Sequence, residues 1–213
     1  MNRPHISRNF GKSGSAFLVA IVSAVLLFYS SAPAAPERPR AGIGILFLRP
    51  VFSAQADDLK ELALYESPGI ERIARVNVAR LPSVSLSVAV PSGVYPVAVT
   101  GKRGDWFRLS YDDSGREGWI LGRSYWEFYR WPDFLPGRAV TLLPDLRASF
   151  TEVHQEPLAS SPVLGSISPG QKFRVVEIRK RWALIQSDDG TRGWLRWCDD
   201  NGKLVILVEG QER

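Results

Sequence analysis

The chain contains very little of the chemistry on which active sites depend. It has one cysteine, Cys198, and two histidines, His5 and His154. A single thiol excludes an intrachain disulfide framework, which needs paired cysteines. Cys198 lies far from the N-terminal apolar segment, so we expect no lipid anchor, and no histidine follows it. We expect His154 to be a surface loop residue and the protein not to be an enzyme. A degenerate enzyme remains an alternative only if His154 lies within hydrogen-bonding reach of Cys198.

Metal and cofactor motifs are also missing. No segment has the ligand spacing of an EF-hand or of a paired His/Cys zinc site, and no glycine-rich phosphate loop is present. Three of the four Asp-Asp pairs of the chain are Asp112 and Asp113, Asp188 and Asp189, and Asp199 and Asp200. Each pair stands where a hairpin turn favours aspartate, so we predict turns, with no metal and no cofactor.

Charge of one sign is not concentrated in the body of the chain. The formal net charge is +5, but three of the 27 Lys and Arg residues (Arg3, Arg8 and Lys12) lie within residues 1–35, where no acid occurs. The rest therefore has 24 basic against 22 acidic residues. Nucleic-acid binding normally needs a clustered basic surface, so we expect no nucleic-acid partner.

The N-terminal segment has the pattern of an export signal. A basic start precedes the apolar run from Ala16 to Tyr29, and Ala32-Pro33-Ala34 follows with the small residues that cleavage requires. If cleavage fails, residues 16–35 are long enough to anchor the chain in a membrane. Either way residues 1–35 are a signal peptide or signal anchor, and we expect the remainder in the periplasm or cell envelope. Cleavage or anchoring, and the oligomeric state, stay open.

An internal repeat is the most informative feature of the remainder. The first copy contains, in order, Gly93, Trp106, Asp112–Gly115 and Trp119. The second copy contains Gly170, Trp182, Asp188–Gly190 and Trp194. The two intervals between the glycine and the tryptophans are 13 residues each in the first copy and 12 each in the second. Four landmarks in one order indicate two copies of one supersecondary unit.

Each landmark indicates short strands joined by hairpins. The glycines follow turns, the runs after them are β-rich, and the Asp-Gly stretches are hairpin connections. In Trp106 to Leu109, period-two alternation points Phe107 and Leu109 to one face and Trp106 to the other. The sequence therefore predicts an all-β fold, with two small β-barrels in tandem behind the N-terminal hydrophobic helix.

The order of turn glycine, β run, Trp-x-x-aliphatic, Asp/Gly turn and Gly-Trp-aliphatic resembles bacterial SH3-like (SH3b) domains. The resemblance implies the following division of the chain. Residues 36–61 are a linker with a short apolar strand, 62–126 a first, divergent SH3-like domain, 127–147 an aromatic inter-domain joint, and 148–208 a second SH3-like domain. It also implies binding: a non-enzymatic envelope module whose ligand is cell-wall peptide or glycan. The alternative is an accessory subunit that docks an envelope enzyme or assembly through protein contacts.

Exposed aromatic rings flanked by arginines suit such a ligand. The candidate ligand-binding residues are Trp106, Trp126, Tyr129, Arg130, Trp131 and Trp182. The residues predicted to be structural are Gly93, Trp119, Gly170 and Trp194. A competing interpretation is that the rings of the joint bury one domain against the other.

Overall fold

The computed structural model describes residues 38, 40–49, 61–84 and 93–209. The predicted signal or anchor segment lies outside these residues. Within the described ranges no helix is both long enough and apolar enough to cross a membrane. The described residues are mostly β-sheet, which confirms the all-β prediction.

Fifteen short strands account for about half of the described residues. Their β-branched and aromatic residues alternate between buried and more exposed positions, as half-buried strands require. In chain order they are β1 (Gly44–Leu48), β2 (Glu61–Tyr65), β3 (Arg72–Asn77), β4 (Tyr95–Val99), β5 (Gly101–Arg103), β6 (Trp106–Ser110), β7 (Glu117–Leu121), β8 (Glu127–Arg130), β9 (Ala139–Leu142), β10 (Glu152–His154), β11 (Val163–Ser166), β12 (Phe173–Arg179), β13 (Trp182–Ser187), β14 (Arg192–Arg196) and β15 (Ile206–Val208).

Helical structure in the described ranges is limited to single turns. Helix α1 is Trp131–Phe134, between β8 and β9, with Pro132 in its first turn. Two 3-10 turns are Val78–Arg80 and Ala148–Phe150. We refer to residues 40–130 as the first half and to residues 139–209 as the second half.

The two halves have the same order of neighbouring strands. The second half forms one seven-stranded sheet in the order β11-β10-β14-β13-β12-β9-β15. The first half forms a five-stranded sheet, β3-β2-β7-β6-β5, and a three-stranded sheet, β4-β1-β8. Strands β4 and β5, separated only by Thr100, take the place that β12 takes in the second half. The predicted apolar strand within residues 36–61 is β1, which pairs with β4 and β8.

The break at Thr100 has a counterpart in the second half. Strand β12 changes register against β13 between Val175 and Glu177. Such a bulge bends a strand and increases its twist. The first half interrupts the strand at the matching position, so its sheet is divided in two where the other sheet is bent.

The prediction of two closed barrels is not met. Among the described strands the pairings end at edge strands on both sides of every sheet, and no ring of strands closes. The period-two pattern that predicted the strands is local, whereas closure requires a first and last strand to pair. In the second half the terminal strands β11 and β15 each have one strand neighbour.

Two clusters of buried apolar side chains hold the described unit together. One lies between the two sheets of the first half and includes Leu46, Leu64, Val97 and Leu109. The other contains the core of the second half together with Ile45, Val84 and α1 residues Trp131 and Phe134. Residues 37–213 accordingly form one compact unit. The domain boundaries remain a prediction, although β9, within the predicted joint, pairs with β12 and β15.

Candidate functional site

The first candidate site is an aromatic surface on the outer side of the five-stranded sheet. Strand β6 buries Phe107 and Leu109 and turns Trp106 outward, as the alternation predicts. The ring of Trp106 stands edge-on to Tyr65 of β2, with ring centroids 5.1 Å apart and an interplanar angle of 84°. Edge-to-face contact is a favoured arrangement of two rings, and it holds Trp106 half-buried with part of its surface open to solvent.

Two arginines lie over the second tryptophan of this surface. The guanidinium carbons of Arg103 and Arg108 are 5.6 and 5.9 Å from the ring centroid of Trp119. Arg108 is also paired with Glu117 at 3.0 Å. We call Tyr65, Trp106, Trp119, Arg103 and Arg108 the first aromatic face. The face combines flat apolar rings with cations. This combination suits a ligand that has sugar rings or planar peptide groups.

The second half presents a matching surface at equivalent strand positions. The ring of Trp182 stands edge-on to His154, with centroids 5.2 Å apart and an interplanar angle of 80°. The guanidinium carbon of Arg179 lies 5.0 Å from the ring centroid of Trp194. We call His154, Trp182, Trp194 and Arg179 the second aromatic face.

The strand register makes the two faces equivalent residue by residue. Trp119 in β7 pairs with Arg108 in β6 on one side and with Tyr65 in β2 on the other. Trp194 in β14 pairs in the same way with Leu184 in β13 and with His154 in β10. The same pairs therefore connect the same positions in both sheets, although Tyr65 is replaced by histidine and Arg108 by leucine.

The two faces differ in how far their rings are covered. Trp194 is only 7% exposed, and His154 beneath Trp182 is 4% exposed, whereas Trp119 and Tyr65 are half-buried. Trp119, which was predicted to be structural, is therefore half-buried and lies outside both core clusters. On β7 the inward positions belong to Gly118 and Ile120, so Trp119 points outward, and it is more exposed than Trp194.

Two other predicted ligand-binding residues, Trp126 and Trp131, lie in the core. They are 8% and 2% exposed. Their indole N–H groups donate to backbone oxygens, Trp126 to Arg49 at 3.2 Å and Trp131 to Ala41 at 2.7 Å. A buried ring whose N–H is bonded to the backbone supports the fold and has no open surface for a ligand. Trp126 belongs to the core of the first half, whereas Trp131 packs among residues of both halves. The placement of Trp131 favours the competing interpretation, in which the rings of the joint pack one half against the other.

The remaining candidates, Tyr129 and Arg130, are exposed at the end of β8. The ring of Tyr129 contacts Phe47 and Phe134, and its hydroxyl donates to Glu127 at 3.1 Å. The hydrogen bond to Glu127 raises the pKa of Tyr129. Neither residue contributes to the two aromatic faces defined above.

The turn glycines predicted to be structural have the backbone conformation that glycine favours. Gly93 and Gly170 have φ angles of +84° and +79°. In this region a β-carbon clashes with the backbone, so a side chain at either position strains the turn. These two turns precede β4 and β12.

The aspartate pairs act as turn residues. Asp112 Oδ1 accepts from the backbone N–H of Arg116, and Asp189 Oδ1 accepts from that of Thr191. Asp199 Oδ1 accepts from the backbone N–H groups of Asn201 and Lys203. Within the described ranges no group of three His, Cys, Asp or Glu residues is arranged to hold a metal ion.

His154 and Cys198 make separate contacts in the second half. His154 lies in β10, not in the predicted surface loop: its Nδ1 is 3.0 Å from the carbonyl oxygen of Ser161, and its Nε2 is 3.8 Å from Glu152 Oε2. Cys198 is buried, and burial raises the pKa of its thiol to about 11. A thiol that stays protonated at neutral pH is a poor nucleophile.

We expect Cys198 to react very slowly with iodoacetamide in the native protein. At pH 8 the thiol is protonated and buried, while in the unfolded chain it is exposed and titrates near its ordinary pKa. Mass spectrometry of samples alkylated with and without denaturant measures the difference. We expect the unfolding free energy to fall as the pH rises from about 9 to 11, because only the unfolded chain loses the proton there. Rapid native labelling at pH 8 would contradict this assignment.

The comparison with known families concerns the half that contains Trp182 and Trp194. Residues 149–197 match the family described as bacterial SH3 domain. These residues are a bacterial SH3 domain. Such domains generally mediate binding, often to the cell wall. The match includes β10 to β14 and therefore all residues of the second aromatic face. A search of curated proteins found no match to the chain.

The sequence analysis found Trp106 and Trp182 but missed the residues that complete each face. Tyr65 and His154 precede the tryptophans by 41 and 28 residues, so no local pattern connects them. Arg103 and Arg179 had a detectable signal. Arg103 stands three residues before Trp106, and Arg179 stands three residues before Trp182. Each arginine lies in the strand that pairs with the strand of that tryptophan.

Proposed function

We propose that this protein is a non-enzymatic envelope binding module that is exported to the periplasm or cell surface and binds cell-wall peptide or glycan. The single observation that carries the proposal is the pair of aromatic faces. At equivalent strand positions of both halves, a half-buried tryptophan stands edge-on to another ring beside an arginine-covered tryptophan. Flat rings with adjacent cations are suited to the apolar faces of sugars and to the planar, polar groups of peptides.

The tandem arrangement is part of the proposal. Three features support a second, divergent SH3-like domain in the first half: the shared strand order, the shared register around Trp119 and Trp194, and the interruption at Thr100 opposite the bulge in β12. Two similar modules in one compact unit present two faces at a fixed separation. Repeated groups of a polymer then bind with avidity, because the second contact becomes intramolecular.

The proposed location rests on the N-terminal sequence alone. A basic start, an apolar middle and small residues at the end are typical of an export signal. Membrane contact is then limited to residues 16–35 if that segment stays uncleaved.

Cosedimentation with isolated peptidoglycan sacculi tests the proposal. We expect the full-length chain, kept soluble with mild detergent, to pellet with sacculi at low salt and to a large extent at high salt. Trp106→Ala and Trp182→Ala each remove a half-buried ring of an aromatic face. We expect each to weaken binding about tenfold, with a larger loss in the double variant. Melting temperatures of all variants separate lost binding from lost folding.

Tyr129→Ala distinguishes the aromatic faces from the joint. Its ring is exposed but belongs to neither face. Loss of pelleting in Tyr129→Ala, with Trp106→Ala and Trp182→Ala unaffected, would assign the site to the joint and overturn the role of the two faces. Absence of pelleting by the wild-type chain would overturn cell-wall binding itself.

A second candidate function is an accessory subunit that docks an envelope enzyme or assembly. One observation favours it: strand β11 is an edge of its sheet, and Val163 and Leu164 on it are 53% and 55% exposed. An apolar sheet edge is a common docking surface for another protein. Crosslinking in an envelope extract tests this alternative, and Leu164→Lys is expected to abolish the crosslinked product.

A further inference from the structure

The first aromatic face lacks an acidic group that the second face has. In the second half, Glu177 pairs with Leu184 across the strands and accepts from Arg179 at 2.6 Å, which neutralises the arginine over Trp194. The position of Glu177 is occupied in the first half by Gly101, which pairs with Arg108 in the same register. Arg103 therefore lies over Trp119 without a carboxylate partner among the described residues.

The glycine at position 101 is not required by the backbone or by close packing. A β-carbon added there would lie 3.5 Å from Arg108 Cβ and 3.7 Å from Trp119 Cη2, which are ordinary contact distances. The backbone of Gly101 is also outside the left-handed region. A β-carbon would therefore fit at this position, and the absence of a side chain leaves the edge of Trp119 and the guanidinium of Arg103 open.

The surroundings favour an extended, acidic occupant. Strand β5 is an edge of the five-stranded sheet, so one side of its backbone is not paired with a described strand. Lys102 and Arg103 on this edge are exposed. Lys102 lies over the ring of Phe107 on the other side of the sheet, and Arg108 is paired with Glu117. Arg103 is therefore the cation of this face that has no acid partner among the described residues. Extended peptides add to such edges through backbone hydrogen bonds, while side-chain groups set the specificity.

We propose that the first aromatic face binds an extended acidic peptide segment, with a ligand carboxylate taking the place that Glu177 takes in the second half. The carboxylate pairs with Arg103 beside the ring of Trp119, where a charge-assisted bond to a guanidinium is stronger than a neutral one. The second face lacks this capacity because its own Glu177 occupies the arginine and its Trp194 is covered. This inference rests on the proposed binding function and names the ligand group that one face selects.

Fluorescence anisotropy with a labelled peptide of alternating Glu and Val tests the inference on the full-length chain. The matched probe replaces every Glu by Gln. We expect the acidic probe to bind about tenfold more tightly than the neutral one, and raised salt to reduce the difference. Equal affinity for the two probes would overturn the inference.

Substitutions at Gly101 separate charge from volume. Gly101→Glu installs the ion pair of the second half, and we expect about a tenfold loss of affinity for the acidic probe. Gly101→Gln fills part of the same space without charge, and we expect a smaller loss, of about threefold, because only the steric contribution remains. Equal losses in these two variants, or no loss in Gly101→Glu, would overturn the inference. Circular dichroism and melting temperature verify that both variants fold.

Two further variants locate the site. Arg103→Ala is expected to lose affinity for the acidic probe as Gly101→Glu does, since it removes the cation. Glu177→Gln changes the equivalent pair in the second half and is expected to leave the affinity unchanged. A loss in Glu177→Gln with none in Arg103→Ala would move the site to the second face and overturn the inference.

The peptide assay and the sacculus assay test the two proposals independently. A chain that pellets with sacculi but does not prefer the acidic probe keeps the proposed function and refutes the acidic ligand. A chain that prefers the acidic probe but does not pellet refutes cell-wall binding and retains the carboxylate site on the first face.

Discussion

Trp131→Ala lowers the free energy of unfolding by about 3–5 kcal/mol, the largest stability loss that we expect from one substitution. The ring is 2% exposed and packs against Trp197 and Phe134, with centroids 5.6 and 6.0 Å away. Truncation leaves a cavity and removes the indole N–H that donates to the carbonyl oxygen of Ala41. Denaturant unfolding followed by circular dichroism measures the loss.

Trp131→Phe is the matched control for this prediction. It keeps an aromatic ring in the core but leaves the Ala41 oxygen without its donor, so we expect a smaller loss of about 1–3 kcal/mol. The core around Trp131 contains residues of both halves, so the remaining transition is expected to stay cooperative. A cost below about 1 kcal/mol for Trp131→Ala would show that this ring does not join the two halves.

Gly193→Ala is expected to destabilise the protein by about 1–3 kcal/mol, because an added methyl group has no space. An ideal β-carbon at this position would lie 2.6 Å from Val153 Cγ1 and 2.7 Å from the backbone oxygen of His154. Strand β10 would have to move away from β14, and His154 would move with it from beneath Trp182. Thermal unfolding measures the stability of the variant. Pelleting with sacculi measures whether binding by the second aromatic face is lost.

Gly118→Ala is the matched control in the first half. There the nearest atoms to an added β-carbon are Leu64 Cδ2 at 3.3 Å and Leu64 Cβ at 3.4 Å, both in one side chain. A leucine side chain can shift by a few tenths of an ångström, whereas a backbone oxygen in a paired strand cannot. We therefore expect a loss below about 1 kcal/mol. Equal losses at the two glycines would contradict the close approach of β10 to β14.

Much of the second half could be predicted from the sequence because its signals are local. The turn glycine Gly170, the Asp188–Gly190 hairpin and the alternation around Trp182 lie close together in the chain, and each acts on its own strand. The same signals located Trp106 in the first half. The resemblance to SH3-like domains drew on the same residues, and residues 149–197 match that family.

The completion of each aromatic face was not predictable, because it depends on strand pairing. Tyr65 meets Trp106, and His154 meets Trp182, only after β2 and β10 pair with β7 and β14. A period-two pattern fixes the side of the strand on which a residue lies but not the strand that lies next to it.

The sequence by itself determined the strands around Trp106 and Trp182, their hairpin turns and the outward direction of these two rings, because turn chemistry and side-chain alternation act within a few residues. Only the tertiary structure decided that Trp131 belongs to the core, since its hydrogen-bond partner Ala41 is 90 residues away. Only the tertiary structure placed Gly101 opposite Arg108, in the register that Glu177 has in the second half. Contacts of this kind form when distant segments pair, and no local pattern specifies them.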